Sequence, residues 1–471
     1  MDGDPAVEPE LDSFSLTFPL PYRVAFIVVL AVWAWGANLQ YLHLVKIDVP
    51  ALIRYPGRSS PHHPPHHLST YRFATVLSAL LAFALLLFWV FTHRDPVLVV
   101  AWDWLPVTYL GLLLALLLAP LPLPLPGAFF SGRHHGSYNY NGHGHSLSHD
   151  LSGAGRSRLR SMLRRIAVGG IAEAKDGKFG DILLADVLTS YAKVLADLYV
   201  ALCMFLRPDE RGDGGATARP DRACGGTLVV PLVLVAPSAI RLRQCLIEYG
   251  RARRGGAGGG QHLANALKYA SAFPVIIFAT LQRNHAQPAD GGADAHGSQE
   301  EARSYFRLWV AACVVNSLYS FYWDVAKDWD LTLFDGQALR SALSHPFGLR
   351  RRLHVGPPAL YYAVIAMDLL LRCTPWAVKL SGRLGRYADA EGALFALEFL
   401  EVFRRWVWIF FRVETEWIRS TTIPPGGGPS LLSSSSGGAG GGGGLLGTIE
   451  ENSVLLSDFE GGDLGKYEDE D

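Results

Sequence analysis

Nine blocks of mostly apolar residues, each about 20 long, run through this chain, and no other feature limits its fold as strongly. They lie near 23–45, 73–92, 97–120, 181–206, 227–247, 265–283, 304–325, 358–380 and 393–413. A helix of about 20 residues crosses the hydrocarbon core of a bilayer. Half the chain is hydrophobic (49%) and only 18% is charged, which fits lipid better than water. The expected class is all-α: a polytopic helical membrane protein with about nine transmembrane helices. The third block, leucine-rich and ended by APLPLPLPG, is the clearest, whereas the fourth, fifth and sixth carry polar residues.

Basic residues set the orientation. Loops after blocks one, three, five and seven, with the C-terminal tail, hold roughly three times as many Lys and Arg as the N-terminus and the other loops. Basic loops stay in the cytosol, so the N-terminus is expected outside or in a lumen and the C-terminus in the cytosol. The opening MDGDPAVEPELDSF is acidic and lacks the basic start of a cleavable signal peptide. A net charge of −1 gives no argument for nucleic acid. The five cysteines (Cys203, Cys224, Cys245, Cys313, Cys373) are scattered in or beside apolar blocks, suggesting neither a disulfide framework nor a zinc site. Residues 127–155, rich in Gly, His and Ser, read as disordered, and so does the tail from 421 through GGAGGGGG to GKYEDED. With SSPHHPPHH at 59–67 they form a His-rich cytosolic surface, for which a solvated loop is favoured over metal binding. No metal or cofactor is expected.

The informative residues are the charges inside the apolar blocks. Residues 397–417, LEFLEVFRRWVWIFFRVETEW, are aromatic enough to span a membrane yet carry Glu398, Glu401, Arg404, Arg405 and Arg412. Each costs roughly 2.5–3.5 kcal/mol at the centre of an inserted helix. At helical periodicity Glu398, Glu401, Arg405, Arg412 and Glu416 share one stripe, with Glu401 a turn from both Arg404 and Arg405. Phe403, Trp406 and Phe410 occupy other faces. In the fourth block Asp186, Lys193 and Asp197 stand at i, i+7 and i+11 on one face, flanked by Thr189 and Ser190. The sixth opens with Asn265, Lys268 and Tyr269; the seventh ends with Asp324 and Asp328 a turn apart; the eighth has Asp368 and Arg372 at i, i+4. Such charges could merely pair and lock helices together. Buried pairs are an inefficient source of stability, however, and arginine forks suit phosphate or carboxylate. Charge facing a bundle interior marks a substrate pathway, so the expected cargo is an anion.

The stretches GDILLADVLTSYAKVLADLY, RLRQCLIEY (241–249), NALKYASAF, NSLYSFYWDVAKDWDL, LYYAVIAMDLLLR and LEFLEVFRRWVWIFFRVETEW together resemble the EXS domain family, in family order over about 180–417. That family includes retrovirus-receptor-type phosphate exporters of animals and a shorter Golgi branch in yeast. The resemblance divides the chain into an acidic tail (1–22), three N-terminal spans (23–126), a His/Gly-rich loop with a basic interfacial segment (127–179), an EXS-like domain (180–417) and a disordered tail (418–471). It implies inorganic phosphate as cargo, held at Asp186, Thr189, Lys268, Tyr269, Asp324, Asp328, Arg372, Glu401, Arg404 and Arg405. Long exporters carry an N-terminal SPX domain for which the 22 residues before the first span leave no room, and they have Asn where Thr189 stands. Both features look more like the Golgi branch.

Phosphate transport from the Golgi lumen to the cytosol, supporting glycosylation and retention of ER and Golgi residents, is therefore the expected function, in a multi-pass Golgi membrane protein. The endoplasmic reticulum and the plasma membrane are the alternative locations. Arginine forks would replace the hydration shell of phosphate, and acidic neighbours would keep binding reversible. A non-transporting sorting receptor for Golgi glycosyltransferases is the rival reading. RSRLRSMLRRIAVGG (156–170) would then meet coat proteins, though a basic flank on an interfacial helix explains it as simply. An enzyme is not expected, because no nucleophile-plus-base signature or metal motif is present. The lipid bilayer is the expected surrounding, and a homodimer is left open.

Overall fold

The computed structural model describes residues 11–55, 65–119, 147–207, 215–256, 258–286, 295–336, 348–381 and 390–422, with backbone alone at 147–154, 286, 295–299, 390 and 422. The stretches 127–146 and 423–471, read above as disordered, and most of SSPHHPPHH lie outside these residues.

A short α1 (Ser13–Thr17) precedes α2 (Leu20–Leu44), α3 (Val49–Leu52) and α4 (His66–Thr92). Next come α5 (Pro96–Ala101), α6 (Trp104–Leu118) and α7 (Leu147–Ala167). The third apolar block is thus two helices, not one. Asp95 caps α5 through the Val97 N–H (2.9 Å), with Pro96 at the first helical position, and the chain turns at Trp102 before α6 begins. Leucine content made this block the clearest in the sequence, yet hydropathy does not register such a turn. Helices α2, α4 and α6 pack around Tyr22, Leu77, Phe88, Tyr109 and Leu113. The two tyrosines bury apolar rings while their hydroxyls donate to Ala84 O (3.0 Å) and Leu77 O (3.1 Å). Helix α7 begins inside the segment read as disordered. Its Arg156 donates to Leu116 O and Ala119 O (3.1 and 3.3 Å), satisfying carbonyls at the end of α6.

The remainder consists of α8 (Lys178–Ser190), α9 (Ala192–Leu206), α10 (Val229–Arg254), α11 (Gly260–Ala270), α12 (Ala272–Ala286), α13 (Ala295–Trp323), a π-helical turn (Asp324–Asp328), α14 (Pro358–Leu380) and α15 (Ala390–Thr422). The protein is all-helical, with no strand among the described residues. Among the described residues four helices are long and apolar enough to cross a membrane: α2, α4, α10 and Gly260–His285; the bent pair α8–α9 makes a fifth. Helices α13, α14 and α15, of 29, 23 and 33 residues, match them in length, with charged residues interrupting their apolar stretches. Each of the nine blocks nonetheless coincides with one helix or two consecutive ones.

Helix α15 is the hub. Trp406 on its outer face donates to Ala34 O (2.9 Å) on α2, and Phe410 meets Tyr41 edge-on (5.5 Å). Toward its C-terminal end Trp408, Phe411 and Val413 join Trp329 and Tyr361 in one buried cluster. One expectation is corrected: Cys203 and Cys224 form a disulfide across the loop after α9. Their separation of 21 residues resembled no framework spacing, and only the return of the loop onto α9 brings them together.

Candidate functional site

Three irregularities of the backbone carry most of the candidate residues. Between α8 and α9 the chain bends by 65°. The Thr189 hydroxyl there donates back to Asp186 O (2.7 Å), competing with the helical ladder. Between α11 and α12 the Ser271 hydroxyl donates to Lys268 O (2.7 Å) in the same way. The third is the π-helical turn, whose five residues begin with Asp324 and end with Asp328. Broken helices leave backbone and side-chain polar groups that lipid cannot satisfy, so they occur where protein or a cavity surrounds them. Residues preceding each break accordingly point into one charged interior.

The bend corrects the single face inferred for Asp186, Lys193 and Asp197. Asp186 stays with the interior: it accepts from Arg241 Nε (2.7 Å) and from the Tyr269 hydroxyl. Lys193 and Asp197 separate from it, and Lys193 pairs with Asp197 (3.1 Å) and with Glu398 of α15 (2.8 Å). A straight helix would have aligned all three; a 65° bend cannot.

The most saturated part joins the π turn, α14 and α15. Arg404 forks onto Glu401 (3.0 and 2.5 Å) and reaches Asp368 (2.9 Å), with Asp324 at 3.6 Å. Arg372 bonds Asp368 (3.0 Å) and Asp324. Of the two arginines a turn away from it, Glu401 pairs directly with Arg404, and it also reaches the Ser190 hydroxyl.

Arg405 turns the other way, toward the bend. Its Nε donates to Ser190 Oγ (2.9 Å), Nη2 approaches Thr189 Oγ1 (3.4 Å), and the guanidinium lies over the Trp408 ring (4.5 Å). It is 8% exposed and forms no ion pair among the described residues. Lys268 is also loosely held. Its ammonium lies 3.7 Å from Asp328 and over the rings of Tyr269 (4.5 Å) and Trp323 (5.4 Å). Asp328 Oδ2 and Arg412 Nε are buried without hydrogen-bond partners, although the Arg412 fork also holds Glu416 (3.0 Å). Asp186 and Asp324 both lie within electrostatic reach of Lys268 and Arg405, which makes these groups one site.

All ten residues named from the sequence therefore converge on this interior. Three others were not assigned to the site: Arg241, which pairs with Asp186; Asp368, which ties Arg372 to Arg404; and Arg412. A charge within an apolar block was visible for each. Arg241 also stands one turn from Gln244, whose Oε1 it reaches at 2.7 Å. With these three and with Glu416, the partner of Arg412, included, Asp186, Asp324, Asp328, Asp368, Glu401 and Glu416 face Arg241, Lys268, Arg372, Arg404, Arg405 and Arg412: six acids against six bases. The interior is formally neutral, with its cations unequally shared.

The EXS family matches residues 18–418. The chain belongs to that family. The family unit thus reaches well beyond 180–417 and includes the three N-terminal apolar blocks, which lack the charged motifs that carried the resemblance. This EXS chain is 32% identical over 247 residues to Protein ERD1 homolog 1 of Schizosaccharomyces pombe, covering 52% of the chain and 59% of that protein. It is 33% identical over 256 residues to Protein ERD1 of Kluyveromyces lactis (53% and 61%). Solute carrier family 53 member 1 of Mus musculus is 32% identical over 250 residues (51% and 33%). The matched region thus spans a little over half the length of the yeast relatives and a third of the mouse one.

Proposed function

We propose that this EXS protein transports inorganic phosphate from the Golgi lumen to the cytosol and so supports glycosylation and the retention of ER and Golgi residents. The observation that carries the proposal is Arg405, a buried arginine held by two hydroxyls and an aromatic face instead of a carboxylate. A buried cation with no carboxylate in direct contact keeps bonding capacity for an arriving anion. Phosphate would meet Arg405 and Lys268 first, because Arg372 and Arg404 are already occupied by acids. It would then compete with Asp324, Asp368 and Glu401 for those two arginines, and the same acids would recapture them on release. The name solute carrier on a mouse relative supports a transport reading, and no enzymatic role is proposed.

The nine-span arrangement with a lumenal N-terminus belongs to the same proposal. The Cys203–Cys224 bridge supports it, since it ties the end of α9 to the following loop, which the basic-residue pattern places in the lumen, where disulfides persist. Uptake of radiolabelled phosphate into liposomes holding purified wild-type or Arg405→Ala protein tests the function. Saturable uptake that falls by at least about tenfold in the variant is expected. A folded wild-type protein that moves no phosphate under gradients of either sign would sink the proposal and favour a sorting receptor.

A further inference from the structure

The far side of Arg405 opens on a second feature. A cavity of about 440 Å³ lies between α2, α4, α6, α7, α8 and α15, a size suited to a small-molecule or lipid ligand. Its walls are mainly aliphatic and aromatic, with Val32, Phe73, Met162, Leu184 and Ile409 among them. Arg405 stands in that wall. A smaller pocket of about 290 Å³ adjoins it, sharing Leu39, Pro50 and His66, at the end where α2 finishes and α4 begins. This pocket is polar, lined by Lys46, the imidazoles of His43, His66 and His67, and Asp48, whereas the larger cavity is lined by Arg156, Arg158 and Arg405 and by no acid. Asp48 has its carboxylate engaged by the Ala51 N–H (3.2 Å). Lys46 is exposed and forms no ion pair among the described residues. Arg158 of α7 lines the larger cavity with a buried Nε that lacks a hydrogen-bond partner, while its Nη2 donates to Asp176 O (2.8 Å) and Ile53 O (3.4 Å).

An apolar chamber with Lys46 and Arg158 at its rim, bounded in part by α2 and α4, which are long and apolar enough to span a membrane, has the polarity of one ligand class. We propose that the joined cavities bind an anionic glycerophospholipid, with an acyl chain among α2, α4, α8 and α15 and the phosphate-bearing head at Lys46, His66 and Arg158. Charge complementarity and the bilayer on which α2 and α4 border select this occupant. A seated chain would cover the flank of Arg405 opposite its acidic neighbours and keep bulk water from that side. The site itself does not depend on which solute the protein carries.

Native mass spectrometry of the purified full-length protein, given equal phosphatidylserine and phosphatidylcholine of the same chains, tests it without any transport measurement. One phosphatidylserine per chain is expected, preferred over phosphatidylcholine by about fivefold or more. Lys46→Glu, at an exposed position, should abolish that preference, and Val32→Phe should reduce adducts of both lipids by narrowing the chamber. Millimolar inorganic phosphate should not displace the lipid. Equal adducts of the two lipids on wild type, or adducts unchanged in both variants, would overturn the proposal. Displacement by free phosphate would also overturn it, because the smaller pocket would then recognise the anion alone.

Discussion

Arg404 and Arg405 are adjacent in sequence and face two flanks of α15 with opposite characters. On the α14 flank, Arg404, Arg372, Asp324, Asp368 and Glu401 bond one another in a dense set of forks and carboxylates. On the α8 flank, Arg405 is held by the Ser190 and Thr189 hydroxyls and the Trp408 ring, with no carboxylate in direct contact. The first arrangement is what helix locking requires, since removing one partner leaves buried charges exposed to an apolar interior. The second is what anion binding requires, since the cation keeps bonding capacity in reserve. One helix thus carries a lock and a receptor side by side. The inefficiency of buried ion pairs is no argument against the lock, because the pairs and the vacancy belong to one site.

Variants on the two flanks should separate these roles. Arg404→Ala should be the most damaging, leaving Asp368 with Arg372 alone and Glu401 without its fork, at a cost of roughly 3 kcal/mol. Loss of the folded peak in fluorescence-detected size exclusion, or a large drop in melting temperature, would register it. A stable Arg404→Ala protein would mean that the dense set is not a lock. Arg405→Lys keeps the charge but loses the fork. It should melt close to wild type while phosphate uptake falls about tenfold, roughly 1.4 kcal/mol of transition-state or binding energy. Unimpaired uptake would reduce Arg405 to a point charge. Lys268→Gln should raise the half-saturating phosphate concentration by about threefold, equivalent to roughly 0.6 kcal/mol, with Asp328 left to Arg412. No change in concentration dependence would remove Lys268 from the path. The smallest effect belongs to Thr189→Val, which deletes the back-bond to Asp186 O and a long contact to Arg405. It should cost about 1 kcal/mol of stability with a slight change in uptake, read from paired melting and flux curves.

The order of the helices was legible because each apolar block is long, and lipid tolerates few alternatives to a helix of that length. Counting them by hydropathy was less secure. The leucine-rich third block breaks at Trp102, whereas the more polar fifth and sixth blocks form helices apolar enough to span. Site residues were legible for a related reason: a charge amid apolar neighbours is conspicuous whatever the fold. Arg241 was overlooked because its partner Asp186 lies 55 residues away on another helix, a relation that helical periodicity does not express.

Sequence alone determined the all-helical membrane class and most of the charged interior, since both follow from residue type and local spacing. Tertiary structure decided which charge meets which. The bend at Ser190 and Tyr191 parts Asp186 from Lys193, and the π turn sends Asp324 to Arg372 while Asp328 faces Lys268. Rotation of one residue along α15 then gives Arg404 to three acids and Arg405 to two hydroxyls. Pairing energy falls steeply with distance and depends on what each helix packs against, so ångström-scale placement, which no local pattern encodes, separates a lock from a binding site.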